Sequence, residues 1–178
     1  NKMALTGGLS VSCGDSQRRG GVKKLWITDV TNITSFTEGA SHNFTDVVVA
    51  SGTFYKYQYE DFTFSVSSEG SKENGSSVIN NSVEFTIPKM SKEKAAKLQE
   101  VVNLCKAVLI IEDFNDKFFC VGWDLILEGK AGMNMVVDQV IGAGLQDSNH
   151  YVIKGSGISA ELFREYTGAT TDTGDFEQ

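Results

Sequence analysis

The sequence is poor in the residues on which metal sites, disulfide frameworks and many catalytic centres depend. It contains only two histidines, His42 and His150, and three widely spaced cysteines, with no CxxC pair. A disulfide scaffold or a zinc cluster needs more ligands at closer spacing. We therefore expect reduced, mostly buried thiols, intracellular synthesis, and no bound metal or cofactor.

Long apolar runs are also absent. No stretch reaches the roughly 18 apolar residues of a membrane-spanning helix, which argues against a membrane partner. The first nine residues contain too few apolar side chains for a secretory signal. The formal net charge of −7 argues against a protein that grips nucleic-acid phosphates.

Proline is almost missing, whereas glycine is abundant. Pro88 is the only proline and there are 18 glycines, so turns must be made by Gly and Asn, which is typical of a mostly β protein. The chain has 178 residues, of which 40% are hydrophobic, and this suits a single domain. We assign residues 22–164 to that domain, 1–21 to an N-terminal arm and 165–178 to a mobile acidic tail.

Alternating polar and apolar residues predict strands in several places. Residues 22–36 are expected to form a strand with a bend near Asp29, and a second short strand follows at 44–50. Alternation along 55–59 resumes along 62–66 in the opposite phase, so a bulge or tight bend is expected at Glu60-Asp61.

The next segment, 67–82, consists mainly of Gly, Ser, Asn and charged residues. It separates two alternating segments and is predicted to be an unusually long hairpin loop. Two interpretations remain open, a flexible tip or an assembly arm that contacts neighbouring copies. The candidate assembly residues in it are Glu69, Lys72, Glu73 and Asn74.

One amphipathic helix is predicted at 91–106. Ser91 is a good N-cap, and the apolar residues that follow recur at helical spacing. Further strands are expected at 107–112, 118–127, 133–137 and 151–154, giving about eight in all. The predicted fold is therefore mainly β (α+β), an antiparallel sandwich or barrel with one flanking helix.

Charge is unevenly distributed between the two ends of the chain. Residues 1–24 carry a net charge of +4 and residues 165–178 a net charge of −4. The ends are either two solvated tails or complementary tails that meet between neighbouring copies. The candidate residues for such contacts are Arg18, Arg19, Lys23, Lys24, Asp172, Asp175 and Glu177.

Sequences resembling catalytic motifs fail on inspection. Gly155–Ala160 matches G-x-G-x-x-A after a predicted strand, but only 18 residues follow, without the second strand and acidic residue of a dinucleotide site. Gly129-Lys130-Ala131 has Ala where a P-loop requires Ser or Thr. Asp113, Asn115 and Asp116 lack the glycine and distal glutamate of a calcium loop. The chain is expected not to be an enzyme.

Several motifs in a fixed order carry a resemblance to one family. Cys13-Gly14-Asp15 precedes the pair Gly20-Gly21 and a strand, the helix lies between strands, and a hydrophobic hairpin covers 109–122. A final pattern consists of Gly144, Asp147, Asn149, Tyr151 and Gly155. In these features the chain resembles tail-tube-like virion proteins of tailed bacteriophages, the type found in phages and prophages of Bacteroidetes. Two positions depart from the pattern: His150 replaces a glycine, and the turn at 113–117 lacks one, so Asn115 is expected in the left-handed conformation.

The resemblance implies a β-sandwich that closes into rings, typically hexameric, which stack into a tube. Its partners would be copies of itself and other tail or head proteins, DNA would be only passing cargo, and its location would be the virion after synthesis in the host cytoplasm. A head-to-tail connector and a capsid decoration protein are alternatives. A further alternative is a non-catalytic carbohydrate- or surface-binding β-sandwich, whose aromatic side chains should line one open patch. The aromatic candidates are Trp26, Trp123, Tyr55, Tyr57 and Tyr59.

Overall fold

The computed structural model of the protein describes residues 7–10, 19–50, 52–169 and 176–177. In this part of the chain there are eleven strands, one α-helix and two short 3-10 turns, at Val30–Asn32 and Gly129–Ala131. The elements are β1 Val22–Asp29, β2 Ile33–Glu38, β3 Asn43–Val49, β4 Tyr55–Tyr57, β5 Ser65–Glu73, β6 Ser76–Pro88, α1 Lys92–Val102, β7 Ala107–Asp113, β8 Phe118–Val121, β9 Asn134–Val140, β10 His150–Ser159 and β11 Arg164–Tyr166.

The strands form two sheets. The first has seven strands in the order β2-β3-β11-β8-β7-β1-β4, and the second has four in the order β5-β6-β10-β9. Neighbouring strands are antiparallel except β3 and β11, which are parallel. The predicted mainly β sandwich with one flanking helix is therefore confirmed.

The main core lies between the two sheets. Alternate residues of β6 and β10 point into it, and Leu98 and Val101 of α1 close it at one side. The seven-stranded sheet contributes Leu25, Ile27, Leu109 and Ile111 among others. Burial of this apolar surface, at about 25 cal/mol per Å², is the chief stabilising term of the sandwich.

A second core covers the opposite face of the seven-stranded sheet. Trp26, Val108 and Ile110 point to this side, where they meet Phe36 and Phe44 from β2 and β3. Because β7 is buried on both faces, its sequence from Ala107 to Ile111 is a continuous apolar run rather than an alternating one.

The helix begins where it was predicted but ends four residues earlier, at Val102. The hydroxyl of Ser91 accepts a hydrogen bond from the backbone N–H of Lys94, as expected of an N-cap. At the other end the N–H of Asn103 bonds to the carbonyl of Gln99, and the chain then turns into β7.

The long loop predicted at 67–82 is wrong. Ser65–Glu73 pairs with Ser76–Glu84 in continuous antiparallel register, and only Asn74 and Gly75 form the connection. Both turn residues have positive φ, 50° for Asn74 and 81° for Gly75, which is the conformation that an Asn-Gly hairpin turn requires. The outer part of this hairpin packs on no core, so its strands need no alternating apolar residues. Without that alternation, the polar composition of the segment was interpreted as a loop.

Two predicted bends are confirmed and one conformational assignment is wrong. The 3-10 turn Val30–Asn32 interrupts the chain after Asp29, and a turn at Asp61-Phe62 separates β4 from β5. Phe62 has a φ of 62° and is 85% exposed, so it does not share the buried face of Phe64. In the β7–β8 turn the left-handed residue is Asp116 rather than Asn115.

The tail predicted at 165–178 is partly structured. Arg164–Tyr166 is strand β11, so the proposed domain boundary at 164 falls inside an element. Phe176 forms a parallel bridge with Phe54 and is 1% exposed. The prediction of a mobile tail is therefore wrong at β11 and at Phe176; residues 170–175 lie outside the described residues.

Candidate functional site

The β5–β6 hairpin extends beyond the body of the protein. The pairing of β6 with β10 stops at Ile79 and Ser159, so residues 70–78, called the arm here, pair only within the β5–β6 hairpin. All nine arm residues are exposed. Lys72, Glu73 and Asn74 lie at its end, and Glu69 lies at its base opposite Asn80. The sequence-predicted assembly residues of this segment are thus brought together on one projecting element.

A buried polar network fixes the base of the arm. The side chain of Asn81, 2% exposed, accepts a hydrogen bond from the Ser68 hydroxyl at 2.7 Å and donates one to Ser159 at 3.0 Å. The Ser159 hydroxyl in turn donates to the carbonyl of Glu161 at 2.8 Å. Because each buried polar group has a partner, the network orients the hairpin without leaving an unsatisfied group.

The four-stranded sheet has one open face, called the outer face here. Alternate side chains along its strands point away from the core and are exposed or half-buried. One cross-strand row consists of Ser67, Ser82, Ser156 and Asn134, which are opposite one another in register. The outer face is therefore lined by short, uncharged polar side chains along its middle.

The charges on the outer face are mainly negative. Glu69, Glu84 and Asp138 point outward, together with Lys154. The Lys154 ammonium lies 2.9 Å from the Asp138 carboxylate, and this hydrogen bond raises the pKa of Lys154. After this pairing, the uncompensated charge on the outer face is negative.

Both edges of the four-stranded sheet are available for pairing. In the described ranges β5 pairs only with β6, and β9 pairs only with β10, although β9 also contacts α1. An exposed edge presents backbone N–H and C=O groups that pair readily with a strand of another chain. Neither edge strand has a further strand partner in the described ranges, although Met133, the residue before β9, exchanges backbone hydrogen bonds with Ala107.

Exposed apolar side chains gather at the two ends of the four-stranded sheet. Val140, Ile141 and Leu145 lie at the end where β9 passes into β10. At the other end, Ile158 lies near the end of β10 and Leu162 lies just after it. Ile126 is in a neighbouring turn, where the Asp124 carboxylate accepts hydrogen bonds from the backbone N–H groups of Ile126 and Ala160. Large exposed apolar groups that cluster in this way commonly mark interaction surfaces.

The basic N-terminal candidates that the structure describes have partners within the chain. The Lys23 ammonium lies 2.8 Å from Asp116 and 3.5 Å from Glu112, and Lys24 lies 3.3 Å from Glu112. These contacts raise the pKa of Lys23 and lower that of Asp116. The backbone of Arg19 hydrogen-bonds the side chain of Asn115. These residues hold the start of β1 to the β7–β8 turn, while Arg18 lies outside the described residues.

Of the acidic candidates at the other end, Glu177 is the one among the described residues, and it does not lie on the arm. Glu177 lies beside β4, where its carboxylate accepts a hydrogen bond from the backbone N–H of Lys56 at 2.9 Å. Asp172 and Asp175 lie outside the described residues. Among the described candidates, the basic side chains and Glu177 do not meet within one chain, and their meeting between copies stays a prediction.

Neither tryptophan belongs to the open aromatic patch that was expected of a surface-binding module. Trp26 and Trp123 are buried in the second core. Tyr57 and Tyr59 are half-buried and Tyr55 is exposed. Tyr55 and Tyr57 line a cleft of about 590 Å³ between β4 and α1, whose other walls carry lysines and glutamates of the helix. Burial, together with Glu100 and Glu177, raises the pKa of Tyr57.

The rejected motifs have structural roles. Gly155–Ser159 lies inside β10, so the G-x-G-x-x-A sequence forms no turn between a strand and a helix. Asp113 accepts hydrogen bonds from the N–H groups of Asn115 and Lys117 and thereby caps a turn. Over the described residues, no three His, Cys, Asp or Glu side chains cluster to hold a metal ion, and no helix is long and apolar enough to cross a membrane.

Sequence reasoning missed the outer face, the apolar ends and the docking of Phe176. The Asn-Gly pair at 74–75 was an available signal for a tight hairpin. Once a two-residue turn is placed at this pair, alternation with period two predicts which side chains of β5 and β6 point outward.

Comparisons of the chain with protein-family models, with curated proteins and with solved structures give no match. A function is therefore inferred from these surfaces and from the order of the sequence motifs.

Proposed function

We propose that this chain is a structural virion protein that assembles with copies of itself into rings, which stack as the tail tube of a phage. The observation that carries the proposal is the four-stranded sheet with one polar open face and two unpaired edges. The motif order of the sequence supports the same class of protein. No catalytic step is part of the proposed function.

Ring closure follows from the two free edges. Successive strands of the sheet are antiparallel, so β5 and β9 run in opposite directions. Rotation about an axis along the strands would place β9 of one copy beside β5 of the next as another antiparallel neighbour. Such a head-to-tail contact removes the exposed edges, and it closes into a ring when the repeated rotation completes a full turn without translation along the axis. The sheets of all subunits then form one barrel, and the motif resemblance implies six copies.

The outer face is suited to line the inside of that barrel. Its central cross-strand row consists of short Ser and Asn side chains, and its excess carboxylates repel phosphates. DNA would therefore slide through without binding. The same lining would not suit a face that must hold nucleic acid.

Stacking of rings would use the ends of the sheet and the arm. The exposed apolar residues at both ends, including Ile141 and Leu145 at one and Ile158 and Leu162 at the other, would be buried when one ring meets the next. The projecting arm would reach across that contact. In this arrangement the partners are other copies and, at the two tube termini, further tail or head proteins of the virion.

One observation favours a second candidate, a surface-binding module. The cleft between β4 and α1 presents Tyr55 and Tyr57, and tyrosines in clefts commonly stack on ligands. A monomeric binder would keep this cleft open and would not polymerise. A head-to-tail connector or a decoration protein would instead form one ring or patch without a tube.

The test is negative-stain electron microscopy of the purified chain, combined with light-scattering mass over a range of concentrations. Tubes or stacked rings of uniform diameter are expected. A chain that remains monomeric at every concentration and salt, also in the presence of preformed tail ends, contradicts the proposal and favours the binding module.

A shortened arm separates stacking from folding. Removing Ser71, Lys72, Ser77 and Val78 deletes two cross-strand pairs, keeps the Asn74-Gly75 turn and preserves the alternation of faces. Because the removed residues are exposed, we expect unchanged thermal unfolding but loss of tubes. The matched control keeps the length and carries Lys72→Ala with Ser77→Ala, and it should still polymerise. Normal tubes from the shortened chain would remove the arm from the proposed contact.

A further inference from the structure

Phe176 occupies an aromatic socket formed by residues distant in the sequence. Its ring stacks on Phe54 at 4.8 Å and 11°, meets Trp26 edge to face at 6.0 Å and 87°, and lies 6.0 Å from Tyr166. Only 1% of the residue is exposed. Aromatic pairs in these arrangements stabilise beyond the area that they bury.

The backbone of Glu177, the residue after Phe176, also forms hydrogen bonds with two socket residues. The N–H of Glu177 donates to the carbonyl of Phe54 at 2.9 Å, and the indole N–H of Trp26 donates to the carbonyl of Glu177 at 2.9 Å. The Glu177 carboxylate accepts the N–H of Lys56. The two-residue segment thus lies as a short parallel strand against the edge of β4, which is a common way in which proteins bind peptides.

The segment that precedes Phe176 consists of small or polar residues. Residues 168–175 are Gly-Ala-Thr-Thr-Asp-Thr-Gly-Asp and contain no large apolar side chain. Seven residue steps join Ala169 to Phe176, which corresponds to a reach of at most about 25 Å. Phe176 and Glu177 are therefore connected to β11 through a segment that has no large apolar side chain of its own to bury.

We propose that the aromatic socket is an exchangeable peptide site, which accepts Phe176–Glu177 of a second copy in place of the chain's own segment. Exchange of an identical element between copies forms no new kind of contact, so it adds a link between subunits at little cost in free energy. In an isolated chain the covalent connection favours docking of the chain's own segment, so exchange requires copies held close together. The inference does not depend on whether those copies form a tube.

The first test uses the full chain with Phe176→Ala and a synthetic peptide of residues 167–178. The substitution should lower the thermal midpoint by about 10 °C, as expected for loss of a buried Phe in a domain of this size. Saturating peptide should restore about half of that loss or more, because a ligand that binds only the folded state stabilises it. Phe62→Ala, which removes an exposed ring, is the matched control and should change the midpoint little. Should Phe176→Ala not fold, Phe176→Leu replaces it.

The peptide with Phe176→Ala is the matched ligand control and should restore nothing. Equal effects of both peptides, or no effect of the natural peptide on a folded variant at millimolar concentration, would overturn the proposal.

The second test traps exchange between whole chains. In a background of Cys13→Ser and Cys105→Ser, one chain carries Tyr55→Cys and a second, distinguishable by mass, carries Glu177→Cys. Glu177 lies beside Tyr55 because it bonds to both residues flanking it, so a disulfide joins the two chains only when the segment of one docks on the other.

A single chain that carries both Tyr55→Cys and Glu177→Cys should form the disulfide within itself, which shows that the geometry permits the bond. A pair with cysteines at Tyr55 and at exposed Ser71 gives the background level. Mixed dimer above that level supports exchange. If the mixed dimer stays at background at millimolar chain concentration while the double-cysteine chain closes, the socket serves only its own chain and the proposal is overturned, whether or not tubes form.

Discussion

The side-chain amide of Asn81 donates a hydrogen bond of 3.0 Å to the hydroxyl of Ser159, at the point where the arm leaves the sheet. Asn81 is on β6 and Ser159 ends β10, so the bond joins the last rungs of the ladder that connects these strands. Ser68 of β5 contributes the other hydrogen bond to Asn81. One buried amide therefore holds three strands at the root of the arm.

Replacement of Asn81 by Ala should destabilise the protein. The change removes one hydrogen-bond partner from the buried Ser159 hydroxyl and one from the half-buried Ser68 hydroxyl, which costs about 1–3 kcal/mol of unfolding free energy. Urea denaturation measures this loss. Asn80→Ala is the matched control, because Asn80 is the exposed neighbour on the outer face, and its effect should stay within about 0.5 kcal/mol. Equal effects of both substitutions would show that the network contributes no stability.

The parts of the fold that the sequence predicted are those in which apolar spacing reflects burial. Val83, Phe85 and Ile87 alternate in the sequence and all three side chains are buried. The run at 107–111 and the N-cap Ser91 likewise lead directly to β7 and α1. In each case a single local signal, the periodicity or the cap, suffices.

The parts that were mispredicted depend on contacts between distant residues. The arm is polar on both faces, so alternation gives no signal there, and its pairing follows only from the Asn-Gly turn. Phe176 is one aromatic residue in a polar segment, and its burial depends on Phe54 and Trp26, more than 100 positions away. The location of the outer face likewise required knowledge of which strands pair.

Charge reversal on the outer face should make assembled tubes retain DNA. With Glu69→Lys and Glu84→Lys, the lining of the proposed barrel becomes positive, and short duplex DNA should bind at low salt and dissociate as salt rises. Glu93→Lys with Glu100→Lys on the exposed side of α1 changes the net charge equally and is the matched control. Filter binding or co-sedimentation measures retention. Equal retention by both variants would show that the outer face does not line the channel.

The two described cysteines should differ strongly in reactivity. Cys120 is fully buried, and burial raises the pKa of its thiol, whereas Cys105 is exposed. Since the thiolate is the reactive form, a thiol reagent should modify Cys105 at once and Cys120 only after unfolding. With Cys13→Ser, one thiol should react in the native protein and a second in denaturant. Rapid native reaction of a Cys13→Ser, Cys105→Ser variant would contradict the burial of Cys120.

Asp147 should make the loop between β9 and β10 sensitive to acid. Its carboxylate accepts hydrogen bonds from the N–H groups of Gly144 at 2.7 Å and Ala143 at 2.9 Å, and these bonds lower its pKa. A lowered folded-state pKa stabilises the folded protein above the unfolded pKa, and this stabilisation is lost as the pH falls through the folded value. Asp147→Asn keeps an oxygen acceptor but not the charge. Its thermal midpoint should therefore lie below that of the natural chain at neutral pH, and the difference should shrink below about pH 4. A difference that is constant from neutral pH into acid would show that the charge of Asp147 does not stabilise the loop.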